Sequence, residues 1–400
     1  MKQLGILWLI VLISLMGFGV TTIPFPLVTE QMGASDFWKT FGGPGVFSVF
    51  QLIATPIWGR YSDSLGRKPI LLASLAGSVL AYVWLAYAND LTSLLVARAF
   101  GGIMSGNLAA TYAYATDVTD PSNRARGLGI VASAFGVGFA IGPPLGGFLG
   151  TDAAGHASLH WPALASAGLS LVALLATWWL LPESLPPEQR KPLRAAPGEG
   201  RKGSPLAALA GQTVLIGLVV SALTVSIGGA TMQSIYQFWG RDLFGFTLGI
   251  VGLQFTAFAV FSALGQVGLV GPLVRIMGEK KVALLATGIV VLSLLMFAVA
   301  SQPWFVWITI SLFGLANGLF LPSVSSLVSF EATPQNRGSV MGAFNAASSG
   351  GRIVGPAVSG PLYFTFGAAA PFVVAAVLTL LGGALLFRAH ARPVAAAGGA

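Results

Sequence analysis

One apolar run follows another along this chain, each close to the roughly 20 residues a helix needs to cross the hydrocarbon core of a bilayer. Residues 284–300 carry no charge and no amide at all. Twelve such spans are placed near 5–28, 39–58, 69–88, 91–116, 127–150, 162–181, 206–235, 247–270, 282–301, 303–328, 338–362 and 370–387. Met1-Lys2 before an apolar run has the look of a signal peptide, but the run continues past Val20, longer than a signal core, so it is read as the first span. A transmembrane barrel would alternate with period two and show polar lumen positions, and these runs do not. Charge agrees: 8% of residues are charged, against roughly 25% in soluble domains. That leaves too little to coat a water-soluble globule and far too much apolar content for a disordered chain. With no cysteine and only His156, His160 and His390, no metal site or cofactor is expected. The fold class expected is an all-α membrane protein, twelve transmembrane helices in two pseudo-symmetric six-helix bundles.

The net charge of +8 finds its reason in orientation. If both termini are cytoplasmic, 17 of the 21 Lys and Arg residues fall on inner segments, Lys39 and Arg241 fall outside, and Arg98 and Arg352 lie within spans. The surplus therefore calls for no nucleic-acid partner. A bilayer is the expected surrounding, the cell (inner) membrane the expected location, and a monomer the expected working unit.

Residues 182–205, with six prolines, several glycines and mixed charges, read as a cytoplasmic linker whose composition keeps it from packing. It separates an N-terminal half, 1–181, from a C-terminal half, 206–388, followed by a tail, 389–400. The halves repeat at a nearly fixed offset. Gly59, Gly66, Gly102 and Gly106 recur 212 residues later as Gly271, Gly278, Gly314 and Gly318; Arg124 and Gly142-Pro143 recur 213 later as Arg337 and Gly355-Pro356. One offset kept across separate elements indicates duplication. Spans 3, 6, 9 and 12 hold no charge, Asn or Gln and are free to face lipid all round. Polar groups gather elsewhere: Arg98 and Asn107 on span 4, Gln233 and Gln237 on span 7, Asn317 on span 10, and Gln51, Gln254, Gln266, Asn345 and Arg352 on spans 2, 8 and 11. Such groups either face a central cavity or glue helices together.

After span 2 the chain reads GRYSDSLGRKP, in which Gly59 and Gly66 permit a tight turn with positive backbone dihedrals, and Asp63, Arg67 and Lys68 cluster charge. Span 4 contains RAFGGIMSG, which sets Arg98, Gly102 and Gly106 on one helix face. Span 5 contains GFAIGPPLGG, in which Gly138, Gly142, Gly146 and Gly150 form a four-residue stripe for close helix approach, with Gly147 beside it and Pro143 and Pro144 bending the helix.

These motifs, the span number and the half-repeat closely resemble the major facilitator superfamily over essentially the whole chain. The span 5 motif resembles in particular the twelve-helix drug–proton antiporters of the tetracycline and multidrug efflux branch. The resemblance implies a non-enzymatic secondary transporter working by alternating access, exporting a small drug-like or amphiphilic molecule against protons. It implies that Asp63 and Arg67 form a charge relay with an acid at the inner end of span 4, for which Asp117 fits, locking the halves in the outward-open state. It also implies that Arg98 takes part in proton movement, that spans 1, 4, 7 and 10 line the cavity, and that spans 2, 5, 8 and 11 join the halves. The cavity and coupling candidates are thus Arg98, Asn107, Gln233, Gln237, Asn317, Arg352 and Glu30.

Two departures stand out. Pro24 and Pro26 lie one residue too close for the exporters' span 1 motif, and no carboxylate sits near the middle of any span. An importer or uniporter of a small metabolite is the alternative reading. There is no phosphate-binding Gly-rich Lys motif for an ATP-driven engine, and no intramembrane base for a hydrolase. If Arg98 or Arg352 faces the cavity, the substrate is anionic, zwitterionic or neutral.

Overall fold

The computed structural model describes residues 2–120, 123–190, 212–333 and 336–388. The linker from 191 to 205, the first part of the seventh expected span (206–211) and the tail 389–400 lie outside the described residues.

Span 1 is Lys2–Thr22, continued after a short break by Phe25–Gln31. Span 2 is Pro44–Leu65 and span 3 Arg67–Ala86. Span 4 runs Leu91–Met104, a 3-10 turn Ser105–Asn107, then Leu108–Asp117. Span 5 is Arg124–Leu149 and span 6 His160–Leu180. In the second half, span 7 is Thr213–Phe244, and span 8 runs Leu248–Ala263, a π-helical segment Leu264–Leu269, then Val270–Met277. Spans 9 to 12 are Glu279–Val299, Pro303–Glu331, Arg337–Phe366 and Ala370–Arg388. Nine described helices are long and apolar enough to cross a membrane on those grounds alone. Spans 2, 4 and 11 are not among them, because they hold broken turns, interior prolines and polar residues that the interior, not lipid, must satisfy.

Three expectations need correction. The short helix Asp36–Phe41 is separate from span 2, which begins at Pro44 and runs on to Leu65. The charged motif is therefore no loop: Gly59–Leu65 is the last part of the span 2 helix, and span 3 begins at Arg67. Only Gly66, at φ 109°, is in the left-handed region; Gly59 is helical and faces the Ala109 methyl. Spans 3, 6, 9 and 12 face lipid on one side only. Leu80, Trp179, Leu292 and Leu380 are exposed, while Ser74, Ser170, Val290 and Thr379 on the same helices are buried. Small and hydroxyl-bearing side chains let those inner faces pack.

The repeat is visible as repeated packing. A Cβ at Gly102 would strike the Phe47 carbonyl of span 2, and one at Gly314 the Phe258 carbonyl of span 8. A Cβ at Gly142 would lie 2.8 Å from Met16 O on span 1; one at Gly355 would lie 2.8 Å from Ile227 O on span 7. Helices in lipid gain little from burying apolar surface against each other, so such backbone-close contacts carry much of their association.

Span 5 also reaches the other half. A Cβ at Gly147 would strike Leu248 O, and Gly252 on span 8 lies against the backbone of Pro143 and Pro144. Pro144 has no N–H for the carbonyl four residues back, and that carbonyl, Ala140 O, accepts from Thr256 Oγ1 of span 8 at 3.0 Å. Thr256→Val is expected to leave Ala140 O without this donor. The cost is about 1 kcal/mol, read as a modest loss of thermal stability in detergent; an unchanged transition would remove the role given to this bond.

Candidate functional site

Two cavities of about 370 and 280 Å3 lie inside the bundle, and Ala230, Gln233 and Arg352 line both, so they adjoin as two lobes at these residues. The larger lobe belongs mostly to the first half. Phe18, Phe47, Leu71, Leu75 and Phe139 give it apolar walls, with Ser14, Gln51, Ser105 and Asn107 among its polar groups. The smaller lobe belongs to the second half and holds Ser226, Ser262, Gln266, Asn317 and Ser348. Spans 1, 4, 7 and 10 all contribute, but so do spans 2, 3, 5, 6, 8 and 11: Ser78 and Tyr82 come from span 3 and Ser170 from span 6.

Local irregularities bring these groups in. At the 3-10 turn of span 4 the carbonyls released from helical bonding are taken by side chains. Trp58 Nε1 donates to Ile103 O at 2.6 Å, Ser74 Oγ to Met104 O at 2.5 Å, and Gln51 Nε2 to Ser105 O at 3.4 Å. Broken backbone at membrane depth is tolerated where protein or a cavity satisfies it. On span 8 the π-helical segment shifts the register just where Gln266 joins the lobe wall. Asn317 Nδ2 donates to Phe313 O of its own helix, 2.9 Å away.

The sequence candidates separate. Asn107, Gln233, Asn317 and Arg352 line the cavity. Arg352 is exposed there, and its Nη2 donates to Ser349 Oγ at 2.8 Å. Arg98, Gln237 and Glu30 do not line it. Arg98 is buried, with Nη2 donating to Thr21 O at 3.2 Å and its guanidinium 4.5 Å from the centre of the Phe25 ring; its Nε has no partner among the described residues. The polarity of an arginine puts it on an inward face, but the end of span 1 packs over that face and shuts it off from the cavity. Gln237 is buried without a described partner for either amide atom. Glu30 accepts from Arg241 of the other half, which also binds Asp242.

That pair belongs to a seam. Thr40 Oγ1 donates to Pro356 O at 2.7 Å, Gly360 lies against Asp36 O, and Lys39 Nζ sits 4.2 Å from the Phe364 ring centre. A further hydrogen bond between the halves is the one from Thr256 Oγ1 on span 8 to Ala140 O on span 5. Nearby, the backbone N–H groups of His156 and then Ala154 bind Asp152 and hold its carboxyl below the ordinary range. His160 Nδ1 lies 3.1 Å from Ala86 O.

At the opposite end Asp63, Arg67 and Asp117 come together. Buried Arg67 reaches Asp63 at 2.6 Å, Asp117 at 3.1 Å and Ser62 Oγ at 2.6 Å, all within the first half. The residue that sequence reasoning missed is Glu183. Its carboxylate accepts from the Arg67 N–H at 2.8 Å and the Lys68 N–H at 3.2 Å, capping span 3. Ser184 Oγ donates to Asp117 at 3.0 Å, Tyr114 Oη to Pro182 O at 2.9 Å, and Lys68 Nζ to Trp178 O at 2.8 Å. The expectation that composition keeps the whole of 182–205 from packing is thus corrected for its first residues: Leu185 is buried, and a Cβ on Gly66 would strike the Glu183 carboxylate. The one sequence signal that could have found it is an acid directly after Pro182 at the end of span 6. Glu183→Gln is expected to weaken the cap by about 1 kcal/mol and reduce transport severalfold. Neutralising the charges between Arg190 and Lys202 is expected to leave transport largely intact. Equal effects of the two changes, in flux measurements, would contradict a specific role for the cap.

The Major Facilitator Superfamily family profile matches residues 7–247 and 209–399. The chain is 28% identical over 359 residues to the tetracycline resistance protein, class C, of Escherichia coli, covering 88% of this chain and 87% of that protein. It is 32% identical over 369 residues to Major facilitator superfamily domain-containing protein 10 of Bos taurus, covering 85% and 77% respectively. Among solved structures, the human organic anion transporter MFSD10 (TETRAN) superposes with a TM-score of 0.73 at 24% identity, covering 96% of this chain and 99% of that one.

Proposed function

The chain belongs to the Major Facilitator Superfamily, and from that membership we propose that it exports a small drug-like or amphiphilic molecule in exchange for protons by alternating access. It is an integral membrane transporter; the inner membrane with both termini cytoplasmic is the placement proposed. The halves, 1–181 and 206–388, rock as monomer-borne bodies joined by 182–205. The observation that carries the export reading is the span 5 motif: its glycines meet span 1 on one side and span 8 of the other half on the other. A helix fitted that closely on both sides transmits any rotation of one half to the other. The tetracycline resistance relatives support the same reading.

In this proposal Asp63, Arg67, Lys68 and Asp117 form the inner switch about Gly66, while Glu30 and Arg241 close the outer seam. Glu30, Asp63 and Asp117 are the carboxylates to test first as proton carriers. One observation favours the second reading, an importer or uniporter of a small metabolite: no Asp or Glu is among the described residues lining either lobe.

Flux in proteoliposomes under an imposed pH gradient, with tetracycline and a panel of amphiphiles and metabolites, separates the two. Proton-coupled export predicts uphill movement that collapses with a protonophore. Downhill movement indifferent to the gradient would replace it with the uniporter reading.

A further inference from the structure

We infer that the two lobes form one bipartite site for an amphiphile bearing a single anionic group, the anion held by Arg352 and the polar lobe, and the apolar body by the aromatic lobe. The inference rests on the small-molecule transport reading, but not on its direction or its coupling ion. Arg352 is the one charged residue among the described residues lining either lobe, and it borders both. Its described hydrogen bond goes from Nη2 to Ser349 on its own helix, and the residue is exposed where it lines both lobes. A cation at membrane depth with no carboxylate facing it is expensive, and an anionic ligand that accepts from the fork supplies what the walls do not.

A second observation points the same way. Ser348 lines the smaller lobe, is buried, and its Oγ has no partner among the described residues. An orphaned hydroxyl beside a cation matches a ligand oxygen there, since buried polar groups are costly unless bonded. Gln233, Gln266 and Asn317 add amide dipoles around the same space. On the far side of Arg352 the wall carries Phe18, Phe47 and Phe139 with Leu71 and Leu75, and its polar groups there, such as Gln51 and Asn107, are all neutral, so it offers a body-sized apolar surface and no second charge. The division sets the orientation: head toward the second half, body toward the first.

The test is equilibrium binding to the full chain in nanodiscs, using three probes that share a dansyl body: dansylglycine, dansylglycinamide and dansylcholine. The expected order is carboxylate, then amide, then ammonium, with about tenfold or more between the first and last. Arg352→Gln is expected to bring dansylglycine to within about twofold of the amide, and Arg352→Lys to retain part of the preference through charge without the fork. Phe139→Ala is expected to weaken all three probes alike. Dansylcholine binding as tightly as dansylglycine, no binding of any probe, or Arg352→Gln weakening all three equally would overturn the inference. If proton-dependent export fails in the flux assay, the binding order still stands, so the two claims fail separately.

Discussion

Gly142→Leu is expected to abolish transport while the protein still inserts and folds into a monodisperse species. A Cβ there would lie 2.8 Å from Met16 O and 3.0 Å from Gly19 Cα, and both neighbours are backbone, so no rotamer change relieves the clash. The remaining atoms of leucine would push span 1 away from span 5. Overpacking of this kind costs about 1–3 kcal/mol, which a twelve-helix bundle can absorb more readily than its moving parts can. The same helix carries Gly147 and Pro143 against span 8, so a displaced span 5 changes the joint between the halves as well as the wall of the cavity. Flux measured beside size-exclusion behaviour in detergent checks this. Gly129, where a Cβ would meet nothing within 4 Å, is the control, and Gly129→Ala should transport normally. Near-normal flux in Gly142→Leu would remove the joint role of span 5.

Arg67→Gln is expected to have the second large effect. The substitution takes the cation from two carboxylates, Asp63 and Asp117, and leaves them near a third, Glu183. Stripping one partner from a fully buried pair costs about 3–5 kcal/mol. Here the carboxylates are partly exposed, with 40% and 24% of their side-chain surface accessible, so solvent screening brings the expectation to about 1–2 kcal/mol. That is enough to shift a two-state conformational equilibrium roughly tenfold. Transport should fall by a similar factor with expression retained, and Arg67→Lys should recover part of it. A variant with unchanged flux and unchanged thermal stability would show the cluster to be a passive turn.

The sequence made the architecture legible because the repeat is carried by glycines whose spacing is local and whose purpose is steric. Gly102 and Gly314, or Gly142 and Gly355, need no knowledge of the partner helix to be recognised as places where a backbone must come close. Arg67 with Asp63 was legible for a similar reason, being four residues apart across one glycine. Glu183 was not, since its capping of span 3 joins positions 116 apart through a segment whose prolines and charges read as free linker. The same limit applies to the 3-10 turn of span 4, whose carbonyls are satisfied from spans 2 and 3, and to Ala140 O, freed by Pro144 but partnered from the other half. Arg98 shows that depth and facing are separate questions. Hydropathy places it inside the bundle, while only the packing of Thr21 and Phe25 over it shows that it is shut away from the cavity and that Arg352 lies open to it.

Alternating access requires the two ends of the bundle to move in opposition. The chain has no cysteine, so spin labels can be placed without removing native thiols. One pair at Gly33 and Asp242 would span the seam beside Glu30, and another at Asp120 and Thr333 the end beside Asp117. Pulsed dipolar spectroscopy in nanodiscs, with and without a transported compound, reports both separations. Conditions that widen the first pair are expected to narrow the second. Two separations that widen together, or neither changing under conditions that support flux, would contradict alternating access.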